Sequence, residues 1–174
     1  PALISARPGA APMTEPKLAN PRRNYTYAAL CAAAGAYWLA VGLGLFPIPG
    51  GPSNLHGPLW LLACAGLAFL LAGIAIAFQT LGEANAAGDL PAAAPRWMRA
   101  LQYLIGLTIF CCFGAIATWI AFGPGERQFS GTFLFFDPAT NAAIGRTAFG
   151  IGAVIIWLCT VAVAAAGFRK FLAK

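Results

Sequence analysis

Charge is confined to a few short stretches of this chain. No Asp, Glu, Lys or Arg lies between Arg23 and Glu83, and two further charge-free tracts run over Ala100–Gly125 and Thr147–Phe168. A helix needs roughly 20 apolar residues to cross the hydrocarbon of a bilayer, and each tract supplies them. The first tract is divided by PIPGGPSNLHGP, Pro47–Pro58, a Pro/Gly cluster that cannot continue a helix, so it holds two spans. Four spans are expected, at about 27–46, 59–79, 100–122 and 148–168. Strands of a membrane barrel alternate apolar and polar residues, whereas these tracts are apolar all round, which excludes a barrel. The expected fold is all-α: an integral membrane four-helix bundle.

Local signals place the helix ends. Gly57-Pro58 suits entry into the second helix, because proline is tolerated at the first helical position. Asp137-Pro138 does the same for the fourth, with aspartate as N-cap. The fourth helix is therefore expected to begin outside the hydrocarbon and to enter it after Arg146. Orientation follows from the basic residues. Arg7, Lys17, Arg22, Arg23, Arg96, Arg99, Arg169, Lys170 and Lys174 fall on one side, and only Arg127 and Arg146 on the other. This bias puts both termini in the cytoplasm and leaves one long extracytoplasmic loop between helices 3 and 4. Trp97, Tyr103, Tyr25 and Tyr27 fit the cytoplasmic aromatic belt, and Trp60 and Trp119 the opposite one.

Composition agrees with a membrane protein. Apolar residues make up 60% and charged residues 9% of the chain, against about a quarter charged in an ordinary soluble domain. The net charge of +6 forms no patch; it is spread over the ends of the spans, where it meets lipid headgroups. Nucleic acid is therefore not an expected partner. No GxxxxGK[ST] or GxGxxG stretch occurs, so neither is a nucleotide. Residues 1–24 are Pro/Ala-rich and polar and read as a disordered cytoplasmic tail, with 1–12 an extension before Met13; residues 25–174 form the transmembrane domain. The connection Thr80–Arg96 reads as a flexible linker. The Ala/Gly richness points to a bacterial protein, and the location expected is the inner membrane.

Helix association in lipid relies on close backbone approach. Ala28, Ala32, Ala36, Ala40 and Gly44 recur every four residues on the first helix and form the expected packing row, facing either the bundle or another protein's helix. Smaller rows are Gly106, Gly114 and Thr118 on the third helix, and Gly152, Thr160 and Ala164 on the fourth.

Candidate chemistry is sparse. Cys31, Cys64, Cys111, Cys112 and Cys159 all fall inside spans, without a Cys-x-x-Cys, and read as small apolar filler. His56 is the only histidine. One imidazole cannot supply paired haem ligation, and a metal site needs three or four ligands; no cofactor or metal is expected. No span carries Asp, Glu, Lys or Arg, which argues against an ion or proton pathway. The richest segment is Gly123–Arg146, long for a helix–helix link. With His56 it forms a candidate recognition surface of Arg127, Phe133, Phe135, Phe136, Asp137 and Arg146. The expected function is a small non-catalytic inner-membrane protein, an accessory or structural subunit packing against a partner complex or a second copy of itself. The alternatives are a membrane enzyme or lipid/quinone-binding protein using the extracytoplasmic loops, and a small transporter subunit.

Overall fold

The computed structural model of the chain describes residues 20–51, 57–85, 88, 90–91, 93–125 and 137–172. Among them are four helices: α1 (Pro21–Gly42), α2 (Leu59–Leu81), α3 (Arg96–Phe122) and α4 (Pro138–Leu172). Three stretches, Leu59–Leu81, Arg96–Phe122 and Ala139–Arg169, are long and apolar enough to cross a membrane. α1, at 22 residues, is long enough but less apolar, because Asn24, Tyr25, Thr26, Tyr27, Tyr37 and Trp38 dilute its alanines.

α1 starts earlier and ends earlier than the expected 27–46. Pro21 occupies its first turn, where a fixed φ suits helix initiation and no amide hydrogen is needed. Residues 21–24, expected in a disordered tail, are therefore helical. At the other end Gly44 takes φ +74°. Its amide donates to the Val41 carbonyl at 3.0 Å, and the Leu45 amide donates to the Ala40 carbonyl at 2.9 Å. This pair of bonds is the Schellman arrangement, with glycine at the left-handed position that stops the helix. Gly44 thus terminates α1, and a Cβ placed on it would meet nothing within 4 Å. α2 follows Pro58 directly. α3 begins at Arg96, placing Arg96, Trp97 and Arg99 on its first turn.

The helices pack in chain order. α1 lies on α2, α2 on α3 and α3 on α4, and no other pair of helices touches among the described residues. The bundle expected from sequence is here an open series, with α1 and α4 as its two edges.

The α1–α2 contact is the closest. A Cβ built on Gly35 would lie 2.2 Å from the Leu70 backbone nitrogen; on Gly42, 2.2 Å from that of Ala63; on Gly66, 2.2 Å from that of Leu39. One on Gly73 would lie 2.6 Å from both the Ala28 oxygen and the Ala32 nitrogen. The two backbones touch, so only hydrogen fits at these four positions. The seam on α1 runs 28, 32, 35, 39, 42 and on α2 63, 66, 70, 73, an antiparallel register with the 3.5-residue period of coiled-coil packing. Gly35 and Gly42, like Gly66 and Gly73, stand seven residues apart. The expected row with a four-residue period does not follow this seam. A step of four residues turns a helix by about 400°, so such a row drifts about 40° each time. It leaves the seam after Ala32: Ala36 is exposed and Ala40 half-buried.

α2 and α3 are joined at each end by an edge-on aromatic pair. Trp60 meets Trp119 with ring centroids 6.4 Å apart, and Phe78 meets Trp97 at 6.0 Å. The described residues of the connection between them lie back on the helix ends. The Gln102 amide donates to the Gly88 carbonyl at 2.6 Å, Gly88 lies against Gln79, Leu90 covers Gly82, and Ala84 is buried. Two amide side chains and a buried alanine hold a segment whose composition reads as a flexible linker.

α3 and α4 meet through glycines that admit rings. Trp157 lies over Gly114, and Tyr103 over Gly167. The Tyr103 hydroxyl donates to the Val163 carbonyl at 2.5 Å. The Trp157 indole donates at 3.0 Å to the Thr118 hydroxyl, which itself donates to the Gly114 carbonyl at 2.7 Å.

Candidate functional site at the Arg146 end

The antiparallel contacts bring the start of α2, the end of α3 and the first turns of α4 to one end of the molecule. Of the candidate recognition residues, Asp137 and Arg146 are described. His56, Arg127, Phe133, Phe135 and Phe136 lie outside the described residues.

Asp137 caps α4. Its carboxylate accepts from the Thr140 hydroxyl and, at 3.4 Å, from the Thr140 amide, and its carbonyl accepts from the Asn141 amide at 3.0 Å. The hydroxyl bond holds the carboxyl below the usual carboxylate range, because it favours the charged form. Pro138 follows as the first helical residue. The cap starts a helix of 35 residues, about 52 Å at 1.5 Å per residue.

Arg146 lies two turns further on. Its guanidinium reaches back across the top of the α3–α4 contact and donates to the Gly125 carbonyl at 2.5 Å. Gly125 takes φ +103°, which turns the chain as it leaves α3. Below the guanidinium a groove of about 490 Å³ opens between Phe122 and the Gly150, Ile151, Val154 and Ile155 face of α4. Its walls are apolar and its polar groups, Arg146 and Thr147, sit at one end. A second groove of about 400 Å³ lies on the other flank of α4, between Phe113 and Phe149 beside Gly152, with no charged residue in its lining. Sequence reasoning singled out Arg146 as a loop charge. It missed the groove, whose signal is Gly150 of α4 facing Phe122 of α3.

At the other end, Arg22 and Arg23 open α1, Arg96 and Arg99 open α3, and Arg169 lies in the last turn of α4. Between the ends the hydroxyls are tied to their own helices. Thr26, Thr80, Thr108, Thr118, Thr147 and Thr160 each donate to the carbonyl four residues back. Such bonds satisfy the hydroxyl locally and leave little to offer a ligand. The Cys112 thiol is buried and meets that of Cys64 across the α2–α3 contact; both are free thiols. No group of three or more His, Cys, Asp or Glu that could hold a metal ion occurs among the described residues.

Compared with protein-family models, curated proteins and solved structures, the chain matches none.

Proposed function

We propose that this chain is a small non-catalytic membrane protein, an accessory or structural subunit that packs against a partner membrane complex. The observation that carries the reading is a second alanine row on α1. The glycine seam is spent on α2. On the flank of the same helix Ala29, Ala33 and Ala36 are exposed and Ala40 is half-buried, with the same alternating spacing of four and three residues. Small residues at that period let another helix approach closely, the main source of helix association in lipid. α1 is also an edge of the open series, so nothing from the same chain covers this flank among the described residues.

The reading includes four crossings with both termini in the cytoplasm of a bacterial cell. Its support is that α1 lies antiparallel along α2 from Ala28 to Gly42, about 21 Å of shared length. A helix in backbone contact with a spanning helix over that distance shares its depth in the bilayer. Arg22, Arg23, Arg96, Arg99 and Arg169 belong to the helix ends that alternation brings to one side, in the sense of the positive-inside rule.

The test is purification from native membranes in mild detergent with Ala33→Leu and Ala36→Leu. The wild-type protein should bring down a stoichiometric membrane partner, and each variant should lose it while its thermal unfolding stays unchanged. Recovery of the wild-type chain without such a partner, or with a partner indifferent to both leucines, removes the accessory role.

A further inference from the structure

We propose that the α3–α4 groove below Arg146 is a binding site for one anionic phospholipid, its acyl chain against α4 and its phosphate on the Arg146 guanidinium. The inference rests on α3 and α4 crossing the bilayer, and it does not require the protein partner proposed above.

Depth is the first argument. Arg146 and Arg169 bracket the uncharged stretch of α4 and stand 23 residues apart, about 35 Å along a helix. The hydrocarbon core is about 30 Å thick. Arg146 therefore sits at the level of the headgroups, and the groove, which extends from it to Ile155, runs into the acyl-chain region below.

Positioning is the second. The bond to the Gly125 carbonyl draws the guanidinium over the groove's mouth and occupies one of its five N–H donors. The planar fork that remains suits the paired oxygens of a phosphate. Among the described residues the groove lining supplies no carboxylate to pair with this charge, so an anionic headgroup complements it.

Size is the third. A volume of about 490 Å³ lies in the range of small-ligand sites, roughly 300–1,000 Å³. A partner helix, about 10 Å across with its side chains, does not enter a space of that size. The groove on the other flank of α4, similar in volume and apolar walls but without a cation, holds bulk lipid without headgroup preference and serves as an internal reference.

The experiment is native mass spectrometry of the full chain released from nanodiscs containing equal phosphatidylglycerol and phosphatidylcholine. The wild-type protein should retain one phosphatidylglycerol in preference to phosphatidylcholine. Arg146→Gln should reduce that preference about tenfold or more, the usual worth of a hydrogen bond to a charged group, while Arg146→Lys keeps part of it. Gly150→Leu should fill the groove and abolish retention of either lipid there. A Cβ on Gly150 would lie 3.5 Å from Phe122 and 3.7 Å from Ala121, ordinary contact distances, so Gly150→Ala serves as a folded control. If Arg146→Gln fails to fold, Gly150→Leu and Arg146→Lys decide the matter. Equal retention of the two lipids by the wild type overturns the proposal. So does an unchanged preference in Gly150→Leu. So does displacement of the lipid by millimolar inorganic phosphate, which would make this a site for the free anion. Labelling of Asn85 and Ser130 from the same side of the membrane would instead remove the spanning arrangement on which the inference rests.

Discussion

Gly35→Ala is the sharpest probe of the α1–α2 seam. The added methyl would sit 2.2 Å from the Leu70 nitrogen, 2.7 Å from its Cα and 2.8 Å from the Gly66 oxygen. Ordinary contact begins near 3.4 Å, so the helices must part locally by about 1.2 Å. All three obstructing atoms are backbone, and no rotamer change can relieve them. Overpacking of this kind costs about 1–3 kcal/mol, and alanine returns at most about 1 kcal/mol of helix propensity over glycine. The expected net loss is up to about 2 kcal/mol, or as much as roughly 8 °C in Tm for a chain of this length. Thermal unfolding in mild detergent, followed by tryptophan fluorescence, measures it. Gly66→Ala should behave alike, because its methyl would meet the Leu39 backbone. Gly106→Ala and Gly152→Ala are the controls, since a Cβ at either meets nothing within 4 Å. A Gly35→Ala protein as stable as wild type, with controls that are not more stable than it, would refute backbone contact as the basis of the hairpin.

Other expectations follow from single contacts. Gly167→Ala should destabilise the α3–α4 pair by about 1–3 kcal/mol through collision with the Tyr103 ring, and the loss should largely vanish in a Tyr103→Ala background; thermal unfolding of the double-mutant cycle checks this. Tyr103→Phe, which removes the bond to the Val163 carbonyl, should cost about 0.5–1.5 kcal/mol in the same assay. The Asp137 cap should respond to pH. Its carboxyl is depressed in the folded state by the Thr140 hydroxyl, so its contribution is present above the ordinary carboxylate range and is lost as pH falls through the depressed native value. Hydrogen exchange at Thr140 and Asn141 should accelerate on that acidification, and Asp137→Asn should remove the pH dependence. For topology, cysteines placed at Asn85 and Lys174 should label from one side of the membrane and those at Ser53 and Ser130 from the other.

The helices themselves were legible because their causes are local. Charge-free length gives the spanning stretches, and Pro58 and the Asp137-Pro138 pair set starts that the structure keeps within a residue or so of the proline, whereas the start of α1 at Pro21 falls in the expected tail. Gly44 shows where local reading stops. As a small residue it fits a packing row, yet its φ of +74° makes it the terminator of α1, and composition does not distinguish the two roles. The seam also carried a signal, the seven-residue spacing of Gly35 with Gly42 and of Gly66 with Gly73. That signal gains meaning only when two helices are paired in register. A four-residue row joins Ala28 and Ala32, which face α2, to Ala36 and Ala40 on the other flank. The groove is illegible for the same reason: it exists where Gly150 of α4 opposes Phe122 of α3, a fact of pairing. The placement of Gly88 in the connection after α2 depends on Gln79 and Gln102 reaching it from two different helices, which no local composition records.

The chain-order packing also dictates how the protein can be made. Among the described residues every helix–helix contact joins elements adjacent in the sequence, so none of these contacts has to wait for a distant segment. The α1–α2 hairpin can close while α3 is still being synthesised, and each later helix docks on a surface already in place. Low contact order of this kind favours rapid assembly. It also makes the unit divisible: a chain released after α3 retains the whole hairpin seam and both aromatic pairs, and an α4 that detaches breaks the contacts of Val163 and Gly167 with Tyr103, of Trp157 with Gly114 and Thr118, and of Arg146 with Gly125, and opens the groove beside Phe122.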